Sequence, residues 1–220
     1  MQRVFLQITV GKKDEYECEL EKFNNAKRLL EKIHLSYGLP ADIGQLSADE
    51  LEILQENSKK ELRFTEPESI DKGRIVIELF PDTPKTATNF LKICTGEVTS
   101  KTARKPLHYK NTLVHRIVKD YIIQGGDVTR GDGSGGESIY GGKFNDEKPG
   151  LNRKFVKGSV GMANSGKNSN SSQFFFSMND FHKLNGKYVC FGQVVEGLEI
   201  LDLINDTVEP VIVSDCGVIE

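Results

Sequence analysis

The sequence lacks a long apolar run, a dense basic run and a strong excess of either charge. Its 220 residues carry a net charge of −3, and 28% of them are charged. No apolar stretch approaches the ~20 residues that a membrane-spanning helix needs. The near balance of charge gives no sign of a surface for nucleic acid or membrane. We therefore expect no nucleic-acid partner and no membrane contact.

Cysteine is scarce as well. Cys18, Cys94, Cys190 and Cys216 show no paired metal-ligand spacing. The first ten residues alternate between apolar and polar, unlike the continuous apolar core of a signal peptide. We expect no metal site and a soluble protein with reduced thiols, located in the cytoplasm or alternatively in the nucleus.

Glycine and short strand-like stretches are abundant. Twenty-one glycines, concentrated from Gly125 to Gly166, indicate long shaped loops. Stretches rich in β-branched and aromatic residues predict strands at 74–80, 113–118, 157–162, 173–177, 189–194 and 210–213. Helices are predicted at 87–94, with Thr83 as N-cap before Pro84, and at 197–205. Many strands with two helices suit a closed β-barrel with capped ends.

Residues 12–70 instead predict a helical hairpin. An amphipathic stripe in the first helix comprises Leu20, Phe23, Lys27, Leu30, Ile33 and Tyr37, with one position filled by a lysine stem. Gly38 and Pro40 end this helix. Ser47 and Glu50 have the spacing of a capping box, which predicts a second helix that continues to about Arg63.

Several motifs follow one another in the second half of the chain. They are VHRIV at 114–118, IQGGD at 123–127, GSVGMAN at 158–164, SQFFF at 172–176, LNGK at 184–187 and VCFG at 189–192. Together they resemble the cyclophilins, a family of peptidyl-prolyl cis-trans isomerases. The resemblance runs from Gly73 to Glu220. It implies a mainly β fold, an eight-stranded antiparallel closed barrel with a helix covering each open end.

The alternating residues 3–11 resemble the first strand of that family. This implies a barrel domain made of residues 1–11 and 71–220, with the hairpin of residues 12–70 inserted into the first turn. Removing the hairpin leaves a length close to that of a bare family domain. The alternative is a separate N-terminal extension of residues 1–70, which would bury only a marginal core by itself.

The resemblance also implies a reaction and a site. Rotation about an X–Pro bond has a barrier of ~18–20 kcal/mol and needs no metal, nucleotide or other cofactor. The family pattern makes Arg116 the cation that stabilises the twisted imide, with Gln124 and the backbone of Asn164 holding the peptide on its carbonyl side. It assigns the proline socket to Tyr121, Ile122, Phe175 and Leu184, with Lys183 and Tyr188 near the rim. Proline-containing protein segments are then the substrates.

Three site residues depart from the family pattern. Tyr121 stands where many members have phenylalanine, Tyr188 replaces a histidine, and Lys183 replaces a tryptophan that binds cyclosporin. We therefore expect weak cyclosporin binding. The same departures favour an alternative function, a proline-peptide-binding module that barely turns its ligand over. A third hypothesis is that residues 12–70 dock a protein partner. The alternative, which we favour, is that the apolar face of the hairpin simply packs on the barrel.

A longer loop at 98–105 resembles the divergent-loop subgroup of the family. Cys94, Cys216 and Glu137 occupy the matching positions, and the resemblance implies that Glu137 anchors the extra loop through hydrogen bonds to its backbone. A redox role for Cys94 and Cys216 is a hypothesis that rests on this match alone. Two unconnected buried thiols are the alternative. His115 is expected to be structural, and Phe174 and Phe176 are expected in the core.

Overall fold

The computed structural model describes residues 2–101 and 104–219. Its helices are α1 Lys13–Tyr37, α2 Ala48–Glu56, α3 Pro84–Thr95, α4 Lys148–Asn152 and α5 Leu198–Asp206, with a short 3₁₀ helix at Ile43–Gln45. Its strands are β1 Arg3–Val10, β2 Asp71–Leu79, β3 Thr112–Leu113, β4 Arg116–Val118, β5 Ile122–Gly125, β6 Ser159–Met162, β7 Phe174–Ser177, β8 Cys190–Glu196 and β9 Val211–Ile219. No helix among the described residues combines the length and apolar character that crossing a bilayer requires.

These elements form two compact units. The sheet unit contains residues 2–10 and 71–219 of the described chain, and the helical unit contains residues 11–70. All nine strands belong to one antiparallel sheet of the sheet unit, in the order β3-β9-β1-β2-β8-β6-β7-β5-β4. The mainly β antiparallel fold predicted from the sequence is therefore confirmed.

The sheet has nine strands where the resemblance implied eight. Of the seven strand stretches predicted from the sequence, one is divided in two, and β5 was not among them. The stretch predicted at 113–118 becomes β3 and β4, which are separated by Val114 and His115. Its first part pairs with β9 and its second part with β5. Since a single short stretch pairs with both ends of the remaining sheet, the sheet curls back on itself.

Strand β1 lies inside the sheet, between β2 and β9. Its alternate residues Val4, Leu6, Ile8 and Val10 are buried, as expected for a strand with one face on the core. Its register with β2 runs from Arg3, opposite Glu78, to Thr9, opposite Asp71. The start of the chain therefore supplies a central strand of the sheet unit.

Aromatic rings fill the core of the sheet unit. Phe90 of α3 lies 5.0–5.1 Å, centroid to centroid, from the rings of Tyr109, Phe174 and Phe191. Helix α3 packs against β9, β1 and β8, whereas α5 packs against β2, β4 and β5. Phe174 and Phe176 belong to this core, which confirms the prediction made for them.

The N-terminus of α3 is capped differently from the prediction. Thr83 is at the N-cap position, but its hydroxyl donates to the Phe80 carbonyl instead of accepting from the helix. The carboxylate of Glu147 takes over that role. It accepts from the amides of Lys85 at 3.0 Å and Thr86 at 2.8 Å. A distant acidic residue thus satisfies the free N–H groups that every helix start exposes.

In the helical unit, α1 buries Phe23, Ala26 and Leu30. Lys27 was predicted in the apolar stripe, but its side chain is exposed, and its ammonium lies 5.5 Å from the centroid of the Phe23 ring. The prediction was wrong here because alanine, one position earlier, faces the core. Tyr37 is 52% exposed and likewise lies outside the core.

The predicted capping box at the start of α2 is confirmed. The Ser47 hydroxyl accepts from the Glu50 amide, and the Glu50 carboxylate accepts from the Ser47 amide. The predicted extension to Arg63 is wrong, because α2 ends at Glu56. Leu62 nevertheless reaches the core of this unit, which consists of Ala26, Leu30, Leu39, Leu54 and Leu62.

Candidate active site

Strand register lines up four site positions across the sheet. Arg116 on β4 lies opposite Gln124 on β5. Gln124 lies opposite Phe175 on β7, and Phe175 lies opposite Gly161 on β6. Residues directly opposed on antiparallel strands project from the same face. A cation, an amide and an aromatic ring therefore lie side by side on one surface of the sheet.

A second apolar cluster, separate from the core, lies next to this row. Its buried members are Ile122, Phe155, Phe175, Leu184 and Cys190, with Phe80, Val118, Tyr121, Ala163, Phe181 and Tyr188 packed around them. The four residues assigned to the proline socket, Tyr121, Ile122, Phe175 and Leu184, all belong to it. The fold thus brings these four residues together, and their contact with proline stays a prediction.

Aromatic rings shape this cluster. The ring of Phe175 stacks on Phe155 with centroids 5.4 Å apart and meets Tyr188 edge-on at 5.3 Å. Tyr121 meets Phe181 edge-on at 4.6 Å. A Cβ atom at Gly161 would lie 2.6 Å from Phe175 and 2.7 Å from Phe155, so only glycine allows both rings to approach the sheet here.

The guanidinium of Arg116 is exposed next to the apolar cluster. It makes no hydrogen bond and no ion pair with any of residues 2–101 and 104–219. An arginine stays charged at any physiological pH and carries five N–H donors. Arg116 is therefore a cation with donors to offer to a bound molecule.

Gln124 is held in a defined orientation by Gln173. The Nε2 of Gln173 donates to the carbonyl oxygens of Gly133 at 2.9 Å and Gly135 at 2.7 Å. Because these carbonyls can only accept, the Oε1 of Gln173 must face Gln124. It accepts from the Nε2 of Gln124 at 2.9 Å. The carbonyl of the Gln124 side chain is thereby turned away from Gln173.

The side chain of Asn164 is engaged by its own loop. Its Nδ2 donates to the Lys187 carbonyl at 2.9 Å, and its Oδ1 accepts from the Gly166 amide at 3.2 Å. The main-chain N–H and C=O of Asn164 have no main-chain partner among the described residues. The backbone of Asn164 thus keeps its hydrogen-bonding capacity, and its binding of a peptide stays a prediction.

A cavity of about 800 Å³ lies beside the apolar cluster, not within it. Gln124, Ala163 and Asn164 are at its boundary with the site, and Gln173 lies further along its wall. Tyr188 is half-buried and faces Phe175, whereas Lys183 is exposed. Ala163 thus borders both the apolar cluster and the cavity.

The loop that borders the cavity is wound around a single carboxylate. Asp127 is 2% exposed and accepts from the amides of Thr129, Arg130, Gly133 and Gly135 and from the Thr129 hydroxyl. Burial alone would raise the pKa of this carboxyl. These hydrogen bonds outweigh burial and hold the pKa well below its ordinary value, so the carboxylate stays charged.

His115 packs against the same loop. Its two ring nitrogens are buried without a hydrogen-bond partner among the described residues. A Cβ atom at Gly133 would lie 2.5 Å from its ring. The expected structural role thus takes the form of packing and not of hydrogen bonding.

Glu137 makes different contacts from those of Cys94 and Cys216. Glu137 is buried and accepts from the Ser100 hydroxyl at 2.6 Å and from the Lys101 amide at 3.2 Å. Thr102 and Ala103, in the same longer loop, lie outside the described residues. Cys94 and Cys216 are free buried thiols, and the Cys216 Sγ donates to the Cys94 carbonyl at 3.4 Å.

The site also contains residues that the sequence reasoning did not assign to it. Phe155 and Phe181 belong to the apolar cluster, and Gln173 and Asp127 fix Gln124 and its loop. Gln173 and Asp127 stand inside motifs, which was a usable signal. Phe155 and Phe181 follow loops with no pattern, so only the folded chain reveals them. Among the described residues there is no group of three or more His, Cys, Asp or Glu that could hold a metal ion.

The chain matches the model of a known protein family. The family model for the cyclophilin type peptidyl-prolyl cis-trans isomerase/CLD matches residues 65–218. The matched region is more than two thirds of the 220-residue chain and contains the row, the apolar cluster and the loop around Asp127.

Proposed function

The chain belongs to the cyclophilin-type peptidyl-prolyl cis-trans isomerase family, and we propose that it catalyses rotation about X–Pro bonds in protein clients. The observation that carries this proposal is the row of Arg116, Gln124 and Phe175 on the sheet. An exposed arginine with free donors lies opposite a fixed amide and next to an apolar cluster. These are the three kinds of group that non-covalent rotation of a prolyl bond calls for.

In the proposed mechanism, Arg116 acts on the twisted imide. Twisting removes the double-bond character of the C–N bond and returns a lone pair to the proline nitrogen. A donor aimed at this nitrogen binds the twisted state more strongly than either planar state, which is how binding lowers a barrier. A hydrogen bond to a charged group is worth ~1.5–3 kcal/mol, or roughly ten- to a hundredfold in rate.

The remaining site residues hold the substrate while one end turns. Tyr121, Ile122, Phe175 and Leu184 take the proline ring. Gln124 and the backbone of Asn164 hold the carbonyl side of the peptide. Restricting one end of the substrate removes entropy before the reaction, which contributes to the rate. The reaction breaks no covalent bond and uses no cofactor.

A protease-coupled isomerisation assay on a proline tetrapeptide tests the proposal. We expect wild type to accelerate the reaction far above the uncatalysed rate and Arg116→Ala to lose at least tenfold in kcat/KM. Arg116→Lys should retain part of the rate, since it keeps the charge but not the planar donors. Arg28→Ala, an exposed arginine of α1, is the matched control. A folded Arg116→Ala variant as fast as wild type would refute the role of Arg116.

The alternative function is a module that binds proline segments and barely isomerises them. The departures at Tyr121, Lys183 and Tyr188 favour it, because they change the wall and rim of the proposed socket. It predicts that wild type binds a proline peptide but does not accelerate its cis–trans isomerisation. The replacement of tryptophan by the exposed Lys183 also supports our expectation of weak cyclosporin binding.

We further propose that residues 12–70 are an insertion between the first two strands of the family fold. The pairing of β1 with both β2 and β9 supports this interpretation over a separate N-terminal extension. A protein partner that docks through residues 12–70 remains our hypothesis for the function of the insertion.

We also propose that the chain belongs to the divergent-loop subgroup. The hydrogen bonds from Ser100 and Lys101 to Glu137 support an anchoring role for this carboxylate. For Cys94 and Cys216 we favour two separate thiols. Burial, and then the neighbouring Cys216, raises the pKa of the Cys94 thiol, which disfavours the reactive thiolate.

A further inference from the structure

Two polar residues hold the same pair of glycines from different sides. Asp127 accepts from the amides of Gly133 at 3.0 Å and Gly135 at 2.9 Å. Gln173 donates to the carbonyls of Gly133 at 2.9 Å and Gly135 at 2.7 Å. The glycine loop, defined as residues 128–136, is therefore clamped between a carboxylate and an amide at both positions.

The clamp is connected through Gln173 to Gln124, which belongs to the proposed catalytic row. The Oε1 of Gln173 accepts from the Nε2 of Gln124 at 2.9 Å, and Gln124 lies opposite Arg116. Gln124 and Asp127 are only three residues apart in the chain. Asp127, whose carboxylate holds the loop, is at one end of this series of contacts. Gln124, whose amide we propose holds the substrate, is at the other end.

We infer that Asp127 is a positioning residue, which fixes the orientation of Gln124 through the glycine loop and Gln173. Asp127 is 2% exposed and does not reach the substrate surface, so its effect must pass through other groups. This inference rests on the proposed function, because the orientation of Gln124 matters only if Gln124 binds the peptide.

The loop has little freedom to take another arrangement. A Cβ atom at Gly135 would meet the Thr129 hydroxyl and would lie 2.6 Å from the Asp127 carboxylate. The Thr129 hydroxyl itself bridges Asp127, at 3.0 Å, to the Gly136 amide, at 2.7 Å. Losing the carboxylate would leave four loop amides and this hydroxyl without their acceptor. The carbonyls of Gly133 and Gly135 would then no longer be fixed for Gln173.

A double-mutant cycle tests the inference by kcat/KM on a proline tetrapeptide. We expect Asp127→Asn and Gln124→Ala each to lose about tenfold, on the scale of one lost charged or buried hydrogen bond. We expect the double variant to lose no more than Gln124→Ala alone, because both changes remove the same interaction. The side-chain amide resonance of Gln124 should also shift in Asp127→Asn, a readout that does not require activity.

Thr129 provides a second pair of variants if Asp127→Asn does not fold. Thr129→Val removes the hydroxyl bridge and should lose about threefold in kcat/KM, and this loss should vanish in the Gln124→Ala background. Thr129→Ser keeps the bridge and should retain wild-type kcat/KM.

Three results would overturn the inference alone. One is a folded Asp127→Asn variant with wild-type kcat/KM, another is losses that multiply in the double variant, and the third is an unchanged Gln124 resonance. A wild-type protein with no isomerase activity would overturn the proposed function as well, so the two failures can be distinguished.

Discussion

At the scale of single residues, the site depends on strand register. Arg116 and Gln124 share a face because they are directly opposed on β4 and β5. A slip of one residue in this pairing would put the two side chains on opposite faces of the sheet. Gly161 has a comparable constraint, since the two stacked rings above it leave no room for a Cβ atom. The site is thus specified by backbone pairing as much as by the identity of its side chains.

Thiol reactivity tests the description of the cysteines. Cys18 is exposed, whereas Cys94, Cys190 and Cys216 are buried. Burial raises the pKa of Cys190 to about 11 and that of Cys94 well above its ordinary value, so both stay as neutral thiols at neutral pH. We expect an alkylating reagent at pH 7.5 to label Cys18 in the native protein and all four cysteines after denaturation, as read by mass spectrometry.

The same measurement after mild oxidation separates the two hypotheses for the cysteine pair. Cys94 and Cys216 recovered as free thiols would exclude the redox role. A disulfide that joins them would contradict our preference for two separate thiols.

At the scale of elements, local sequence predicted most of the strands and helices but not their limits. Alternation and β-branched residues located β1, β2 and β6–β8. Strand β9 was predicted only as far as residue 213, because Ser214, Asp215 and Gly217 have low strand propensity. Asp215 and Gly217 are held by pairing with β1, whereas Ser214 lies at an irregularity in the register and its hydroxyl donates to the Gln7 carbonyl. Helix α2 was predicted too long, because the spacing of Leu62 suits a helix although Leu62 reaches the core from a loop.

For the site, too, local sequence gave part of the prediction, and contacts between distant segments were missed. The motifs indicated Arg116, Gln124 and the proposed socket residues by their order in the chain, and their roles stay predictions. Phe155 and Phe181 were missed because their contacts with Phe175 and Tyr121 join segments far apart in the sequence. The Glu147 cap of α3 was missed for the same reason, since no local pattern connects residues 61 positions apart.

The cap on α3 gives a prediction at this scale. Glu147→Gln removes the charge that interacts with the helix start, although an amide oxygen can still accept a hydrogen bond. We expect the variant to lose about 1 kcal/mol of unfolding free energy. This corresponds to a fall in Tm of roughly 2–4 °C for a chain of this size, measured by thermal denaturation.

Glu209→Gln is the control for this change, because it also removes one negative charge. Glu209 is exposed and lies outside any helix. Equal Tm values for Glu147→Gln and Glu209→Gln would show that the carboxylate does not stabilise α3.

At the scale of the whole molecule, the sheet unit is built from two separate stretches of the chain. Residues 11–70, which lie between β1 and β2 in the sequence, form a unit with its own core. The insertion interpretation therefore predicts that the sheet unit tolerates removal of this segment but not removal of β1, which lies between β2 and β9.

Two deletions test this prediction. Replacing residues 12–70 with an Asn-Gly turn should give a folded protein that retains isomerase activity, since a two-residue turn suits an antiparallel pair. Deleting residues 1–70 removes β1 and should leave a protein without a cooperative thermal transition. The reverse pattern, with the second deletion folded and active, would favour a separate N-terminal extension.

The most direct test of the central claim is NMR exchange spectroscopy on a proline tetrapeptide with a substoichiometric amount of protein. We predict exchange cross-peaks between the cis and trans forms with wild type, and their loss with an Arg116→Ala variant that still binds the peptide. Binding by wild type without exchange, or equal exchange with both proteins, would contradict the proposal that Arg116 drives the rotation.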